Sequence, residues 1–319
     1  MSYEPPFKIT SQIIDLISQI SEAVGEINSL ENNPRHLELR KENRIKTIHS
    51  SLAIENNSLS IEQITAIIEG KRVLGNPNEI QEVKNALQAY ELLLTLNSYE
   101  EKDLLKAHKL MMNDLVERNG KYRNEGVGVF DGKQVVHLAP PADRVPFLMA
   151  DLFQCLKNSD VHPLIKSCVF HYEFEFIHPF QDGNGRMGRL WQTVILKDWK
   201  GVFAWLPIEN MIWENQAEYY KAIELSTDNT DSGIFVEFML GLILDSLNTH
   251  ISDTVNDTVN DTVNLILNLI KEDPLISYDE IAKKLEKSRA TISRKISELK
   301  KQGIIERVGA DKNGKWIIK

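Results

Sequence analysis

Residues 178–189 read His178-Pro179-Phe180-Gln181-Asp182-Gly183-Asn184-Gly185-Arg186-Met187-Gly188-Arg189. An imidazole can act as a base and a carboxylate as a metal ligand. A glycine-rich turn lets backbone N–H groups approach an anion, and guanidinium groups bind phosphate oxygens two at a time. This is the chemistry of gripping a polyphosphate and moving one of its phosphoryl units. The apolar run Leu190, Trp191, Val194, Ile195 and Leu196 predicts a helix after the turn. Gly183-Asn184-Gly185 then sits at a helix N-terminus, where unpaired N–H groups and the positive dipole end favour an anion. Arg186 and Arg189, three apart, share the first turn of that helix.

Three further segments carry polar residues at meaningful spacing. In Ser51-Leu52-Ala53-Ile54-Glu55-Asn56, Ser51 and Glu55 are four apart and share a helix face. In residues 126–137, two β-branched runs flank Asp131-Gly132, a two-residue signal for a type I′ hairpin. The stretch Glu214-Asn215-Gln216-Ala217-Glu218-Tyr219-Tyr220 reads as a helix. There Asn215 can both donate and accept, and Tyr219 or Tyr220 can stack on a base.

Taken singly, an Asp-Gly-Asn-Gly is a turn and a lone His is a core residue. The whole spacing is another matter: His-x-Phe-x-Asp-Gly-Asn-Gly-Arg-x-x-Arg resembles the signature of the Fic family, and every defining position matches. Members of that family mostly transfer AMP from ATP to protein hydroxyl groups. The resemblance implies that His178 is the general base and that Asp182 holds Mg²⁺ against the α- and β-phosphates. Imidazole, with an ordinary pKa of about 6.5, suits the first task. A single carboxylate completed by substrate oxygens and waters suits the second. Gly183, Asn184 and Gly185 are then the anion nest, and Arg186 and Arg189 hold the outer phosphates. Phe180 is an apolar anchor for the loop, and Pro179 stiffens it.

The same resemblance extends to the other segments. Ser51, Glu55 and Asn56 match the family's inhibitory motif, Ser/Thr-x-x-x-Glu-Gly/Asn, in which Glu55 pairs with Arg189 and keeps it from the γ-phosphate. The hairpin corresponds to the flap, where Val127, Gly128, Val129, Asp131 and Gly132 would pair with an extended segment of the target. His137 and Pro140-Pro141 follow it, and His137 is assigned no catalytic role. Asn215 and Tyr219 or Tyr220 would lie near the nucleoside. The implied activity is a Mg²⁺-dependent protein adenylyltransferase that uses ATP, modifies Tyr, Thr or Ser hydroxyls, releases pyrophosphate and is restrained by Glu55. Removal of AMP, with the glutamate helping to activate water, is also known in the family. Fic proteins with N-terminal inhibitory helices often pair, which leaves a homodimer open.

Positioning these residues requires mostly helices. The chain has 319 residues, 42% apolar and 26% charged, enough for two or three domains. Helical periodicity predicts helices over 13–30, 38–56, 60–68, 80–96, 101–116, 145–157, 164–177 and 233–246, and the hairpin arms are the only strands expected before residue 250. The fold class expected is mainly α: an all-helical Fic core with a hairpin flap, an N-terminal helical region and a small C-terminal α+β domain. The boundaries expected are 1–98 for the N-terminal region, with its inhibitory helix at about 45–56, and 99–247 for the catalytic domain. The N-terminus lacks the pattern of a signal peptide, and no run of about 18 apolar residues is evident. Cys155 and Cys168 fit a reducing compartment and form neither a disulfide framework nor a zinc site. A cytoplasmic protein without a membrane span is the expectation.

Asp-Thr-Val-Asn occurs three times in succession from Asp253 to Asn264. Four-residue spacing aligns Val255, Val259 and Val263, but these residue types are weak helix formers, so 248–264 reads as a linker of partial helicity. Residues 265–319 differ in charge, with 13 Lys and Arg against 8 Asp and Glu, a net +5. The rest of the chain has 24 against 38, a net −14. Two short helices joined by a tight turn, with Ser288 as N-cap, and two strands around Asp311-Lys312-Asn313-Gly314 give the order of a winged helix. Arg289, Thr291, Ser293, Arg294 and Lys295 surround the start of its second helix, where groove-reading side chains belong. Winged helices also bind proteins, so DNA is one reading of this domain. The competing function class is a DNA-binding transcriptional regulator whose Fic core senses nucleotide.

Overall fold

A computed structural model of the chain describes residues 4–30, 36–131, 134–285, 287–309 and 314–319. Of residues 29–30, 36–38, 128–131, 134–138, 255–261 and 264, it describes the backbone alone. Two compact units result, Met1–His250 and Ile251–Lys319.

In the first unit the helices are α1 (Ser11–Leu30), α2 (His36–Ala53), α3 (Ile61–Ile68), α4 (Pro77–Leu92) and α5 (Glu101–Met111). They are followed by α6 (Val145–Asn158), α7 (Pro163–Ile177), α8 (Asn184–Trp199), α9 (Ile208–Glu214), α10 (Gln216–Asn229) and the start of α11 (Gly233–Glu272). Between α5 and α6 lies a single hairpin, β1 (Gly128–Asp131) and β2 (Gln134–Leu138). The chain is thus mainly α, as its periodicity predicts.

Capping chemistry sets several boundaries that apolar periodicity misses. Helix α4 starts at Pro77, three residues before the first apolar position. Asn76 accepts from the Asn78 N–H and Pro77 occupies the first turn. In α3, Ser60 and Gln63 form a capping box. Helix α5 stops at Met111 rather than at residue 116, and Asp114 turns the chain with φ of 58°.

The core is built around α7 and α8, which pack against each other along their length. Leu164, Cys168, Phe170, Phe174 and Ile177 of α7 are buried, as are Met187, Leu190, Trp191, Val194 and Leu196 of α8. A helix buried on all faces must be apolar all round or have its polar groups paired. Helix α7 is largely apolar, and its buried Ser167 and His171 are hydrogen-bonded, Ser167 to the Leu164 carbonyl and His171 to Gln192 and Tyr219. Ladder pairing in the hairpin runs to Asp131↔Gln134, with a bulge between Val129 and Phe130. Asp131 therefore belongs to the strand and not to the turn; Gly132 lies outside the described residues.

One sequence expectation needs correction. Helix α11 is continuous from Gly233 to Glu272, so the Asp-Thr-Val-Asn repeat is fully helical rather than partly so. Thr254 and Thr262, eight apart on one face, are buried. The stretch Gly233–Thr254 is also long and apolar enough, by length and composition, to cross a membrane. Its side chains Phe235, Val236, Met239, Leu240 and Ile243 are nonetheless buried within the first unit.

The second unit contains the end of α11, α12 (Tyr278–Lys284), α13 (Arg289–Lys301), β3 (Ile305–Val308) and β4 (Lys315–Ile318), the strands pairing antiparallel. This is a winged helix-turn-helix. Its core gathers Ile266, Ile270, Ile281, Ile292, Ile296, Leu299 and Trp316. The Trp316 indole N–H donates to the Ile276 carbonyl at 3.0 Å. Ser288 caps α13 by accepting from the Thr291 N–H at 3.1 Å. The expected turn residues Asp311, Lys312 and Asn313 lie outside the described residues.

Candidate active site

The loop between α7 and α8 is held from every side. His178 ends α7 with φ 50° and ψ 60°, a left-handed conformation uncommon for a residue with a side chain. Arg123 keeps it there. Its guanidinium donates to the carbonyls of His178 (2.7 Å), Pro140 (2.5 Å), Glu125 (3.0 Å) and Ile177 (3.3 Å), and its N–H donates to Pro179. One buried arginine therefore ties the loop that begins at His178 to the residues that follow β2. Sequence reasoning missed it, and a lone Arg before Asn124 offered no signal.

Phe180 is buried and stacks on His108, with ring centroids 3.6 Å apart and planes at 9°. His108 accepts from the Gly120 N–H through Nδ1 (2.8 Å), which leaves Nε2 to donate to the Asp182 carbonyl (3.0 Å). Burial pushes its pKa down to about 4, so the ring is neutral. Asn184 closes the turn, its amide accepting from the Phe180 N–H (2.8 Å) and donating to the Phe180 carbonyl (2.9 Å). Its side chain thus shapes the loop, and only its backbone is available to an anion. Gly183 has φ of 83°, and a Cβ there would stand 2.6 Å from the Met112 sulfur. The first intrahelical bond of α8 runs from Met187 N–H to Gly183 O, so the N–H groups of Asn184, Gly185 and Arg186 precede it.

Both arginines of the signature are held by carboxylates from elsewhere in the chain. Arg189, its side chain 1% exposed, donates to Glu55 Oε1 (2.8 Å), to the Ser51 carbonyl (2.9 Å) and to Ser51 Oγ (3.4 Å). Burial works to lower its pKa, but the charge and hydrogen bond of Glu55, with Tyr219 and Glu175, together outweigh that and hold the guanidinium above its ordinary value. Arg186, 4% exposed, donates to Glu82 Oε1 and to Asp182 Oδ1, both at 3.1 Å. Glu82 of α4 was not anticipated. Its other oxygen accepts from Asn57 Nδ2 at 2.7 Å, so it is tied to the inhibitory segment.

Helix α2 ends at Ala53, and Glu55 lies in the turn beyond it. Asn56 has φ of 67°, with Asn57 N–H bonded to Leu52 O and Asn56 N–H to Ala53 O. These are the two bonds of a Schellman cap, which needs Gly or Asn at its left-handed position. The Gly/Asn of the inhibitory motif therefore has a backbone reason. A Cβ on Gly185 would stand 2.3 Å from Glu55 Oε1, so the glycine makes room for the carboxylate.

The nucleoside-side candidates separate. Asn215 sits between α9 and α10 and donates to the Met211 carbonyl at 2.8 Å. Tyr219 is 1% exposed and bonded to His171 Nε2 at 3.0 Å, so it is a core residue and its ring is not presented to a base. Tyr220 is 50% exposed and is the one that can stack. Gln216, also missed, donates to the Ile54 carbonyl of the inhibitory turn at 3.1 Å. In the flap Val127 is half-buried, while Gly128, Val129 and Asp131 are described by backbone only. In the winged helix Ser293 and Arg294 are exposed, Arg289 pairs with Asp279 (2.8 Å), and Lys295 is buried beside Glu298. Lys295 is therefore not a groove-reading residue.

Comparison with known proteins follows the same division. The family model described as Fic/DOC matches residues 95–196, and that described as winged helix-turn-helix DNA-binding matches residues 259–306. A protein adenylyltransferase Fic of Nematostella vectensis is 26% identical over 226 residues, 67% of this chain and 50% of that protein. A probable protein adenylyltransferase of Aquifex aeolicus is 30% identical over 181 residues, 54% of this chain and 52% of that protein. The chain spans about half the length of these relatives. Fic-1 of Caenorhabditis elegans, 21% identical with a TM-score of 0.65, covers 77% of this chain with 73% of its own and shares the fold. The crystal structure of a Fic family protein from Desulfovibrio desulfuricans G20 matches with a TM-score of 0.75 and 45% identity, covering 99% of this chain and 98% of that one. Identity at that level across both units, on top of a complete signature running from the α7–α8 loop into α8, makes this chain a member of the Fic family.

Proposed function

We propose that the chain is a protein adenylyltransferase that moves AMP from ATP to a hydroxyl side chain and is restrained by its own Glu55. The observation that carries this reading is the pairing of Arg189 with Glu55 in the second turn of α8, directly behind the loop that bears His178 and Asp182. A phosphate-binding arginine occupied by a carboxylate of the same chain is a restraint on nucleotide use. The names of the Nematostella and Aquifex relatives support adenylyl transfer.

Asp182 fits a magnesium ion. Its side chain is 56% exposed, and its contacts to the Gly183 N–H (2.5 Å) and to Arg186 both fall on Oδ1. Oδ2 remains for a cation that takes its other ligands from phosphate and water. Among the described residues no group of three or more His, Cys, Asp and Glu could hold a metal alone, so Mg²⁺ would arrive with the nucleotide. Bound there, it would neutralise charge on the α- and β-phosphates.

His178 takes the proton of the target hydroxyl as its oxygen attacks the α-phosphorus. The new O–P bond forms as the bond from that phosphorus to the bridging oxygen of the β-phosphate breaks, and pyrophosphate leaves with the electron pair. The N–H groups of the α8 N-terminus and the two arginines stabilise the charge that develops. De-modification by the same site would use Glu55 to activate water. The test is incubation with labelled ATP, Mg²⁺ and lysate. Label should appear on protein with wild type, increase with Glu55→Gly and vanish with His178→Ala; equal labelling by all three sinks the proposal.

The match of residues 259–306 to a DNA-binding model favours a second role for the winged helix, with Ser293, Arg294, Arg289 and Thr291 at the start of α13 facing the groove. A gel-shift series on the full chain in rising salt tests it, because phosphate contacts are salt-dependent. No shift even at low salt would count against it.

A further inference from the structure

Arg189 is surrounded by more acid than one guanidinium can neutralise. Besides Glu55, Glu175 of α7 and Glu209 of α9 lie within electrostatic reach of it. Glu209 is committed through Oε1, which accepts from Tyr90 (2.9 Å) and Thr193 (3.4 Å), although its Oε2 is buried without a hydrogen-bond partner among the described residues. Glu175 is not. Its Oε1 is buried and has no hydrogen-bond partner among the described residues. The nearest charged-type group on its own helix, His171 Nε2, stands 3.7 Å away and already binds the Tyr219 hydroxyl. His171 Nδ1 faces Gln192 Oε1 at 2.7 Å and so carries the ring proton. Burial holds the His171 pKa near 3, leaving it no charge to offer Glu175.

The space around Glu175 is made by the signature itself. A Cβ on Gly188 would stand 2.6 Å from Glu175 Oε1, just as one on Gly185 would stand 2.3 Å from Glu55 Oε1. Each glycine of the Gly185-Arg186-Met187-Gly188-Arg189 run thus admits one carboxyl group. Two like charges sharing a low-dielectric site cannot both stay ionised. Burial raises the Glu175 pKa to about 7; Arg189 opposes the rise and Glu55 adds to it. While Glu55 holds Arg189, Glu175 is accordingly neutral over much of the range below neutrality.

We propose that Glu175 is a second, proton-carrying partner of Arg189, which takes the guanidinium when Glu55 leaves and yields it to the γ-phosphate. It is a positioning residue, and the proposal rests on reading Arg189 as the γ-phosphate arginine. A buried guanidinium stripped of its only anion would be strongly disfavoured. Departure of Glu55 removes one charge that keeps Glu175 protonated and leaves the attraction of Arg189 unopposed. Glu175, 13% exposed, then releases its proton to water. Arrival of the γ-phosphate restores the negative charge and the proton returns. The other groups facing this centre are His171 of α7, Tyr219 and Tyr220 of α10, Glu209 of α9 and, held un-ionised by burial, Tyr90 of α4. His171 is held neutral from below and the tyrosines from above, so only Glu209 titrates beside Glu175, and Glu209→Gln serves as its control.

The experiment is calorimetric binding of ATP and ADP, with Mg²⁺, to the full chain as wild type, Glu55→Gly, Glu175→Gln and the double variant. It runs from about pH 6 to about pH 8.5. In Glu55→Gly, ATP affinity should fall by up to about tenfold as Glu175 ionises and competes for Arg189. Binding should also take up a proton, seen as a dependence of the heat on buffer ionisation. Both effects should disappear in the double variant, which should bind ATP more tightly at high pH. ADP, lacking the γ-phosphate, should show neither, and Glu175→Gln should matter less with Glu55 in place. The titration of ATP itself is common to all four proteins. Effects that persist in the double variant, that ADP shares, or that Glu209→Gln removes instead would overturn the proposal. So would an equal effect of Glu175→Gln in both backgrounds, which is what a merely structural residue gives. Absence of any nucleotide binding would sink the underlying reading of the site as well. Of the infrared signals of buried protonated carboxyls in wild type, one should be lost in both Glu175→Gln and Glu55→Gly while that of Glu209 stays, which checks the proton directly.

Discussion

Glu82 of α4 holds Arg186 at 3.1 Å, as Glu55 holds Arg189 at 2.8 Å, so neither arginine of the signature is presented bare. The two restraints are linked through Asn57, which follows the inhibitory turn and bonds the second oxygen of Glu82. Glu82→Gln should therefore raise labelling from ATP by a few-fold at most. Arg186 keeps Asp182 as a second partner, so its guanidinium is not left unpaired. Initial rates of auto-modification, measured beside Glu55→Gly, check this, and a Glu82 effect exceeding that of Glu55 would reverse the ranking.

Glu55→Gly should raise transfer strongly, because the partner that breaks is a fully buried arginine. Loss of one partner of a buried pair is worth about 3–5 kcal/mol, and ATP must otherwise supply that. Adding Arg189→Ala should bring the rate back down. If the Arg189 change is neutral in that background, the pairing is not the brake.

His178→Ala should cut transfer by about 10²–10⁴-fold, the usual share of a general base, while ATP binding measured by calorimetry stays near wild type. Retention of a tenth or more of the rate would place the base elsewhere.

Arg123→Met should destabilise the first unit by about 3 kcal/mol, since charge-assisted bonds to four carbonyls are lost and His178 is freed from its left-handed conformation. Denaturant unfolding gives the number. A variant that unfolds like wild type would mean that the loop is held without the arginine.

Burial raises the Glu209 pKa to about 7, so the native state keeps a proton that the unfolded chain gives up near its ordinary carboxyl range. The sign follows: this contribution is complete below about pH 4.5 and is lost as pH rises through about 7. His108 and His171, lowered to about 4 and about 3, act oppositely and lose their contribution as pH falls below about 6.5. Melting temperature should drop between pH 6.5 and 8 in wild type and drop less in Glu209→Gln. Parallel curves for the two proteins would argue that Glu209 is ionised throughout.

What could be read from the sequence was whatever depends on spacing along the chain. The signature loop, the Ser51–Glu55 face and the hairpin have that character, and so does the cap at Ser288. What could not be read depends on packing across the fold. Arg123 satisfies main-chain carbonyls, which carry no side-chain code. Tyr219 and Tyr220 are adjacent, and only the packing of α10 on His171 decides which one is buried. The weak helix formers of the Asp-Thr-Val-Asn repeat are carried along inside α11, where neighbouring turns override local preference.

The glutamate proposed as the restraint lies in the turn just past the end of α2, an end set by one left-handed asparagine. Helix ends open one turn at a time and at little cost. Letting go of Arg189 asks for no domain movement; opening of residues 53–56 suffices, at the cost of the Glu55–Arg189 pair and of the buried Ile54. The threshold of the brake is then a property of Asn56 as much as of Glu55. Glycine at position 56 should make the enzyme quieter and alanine should make it leakier, without a change to any residue that meets ATP. A lineage could retune such an enzyme through a single backbone preference.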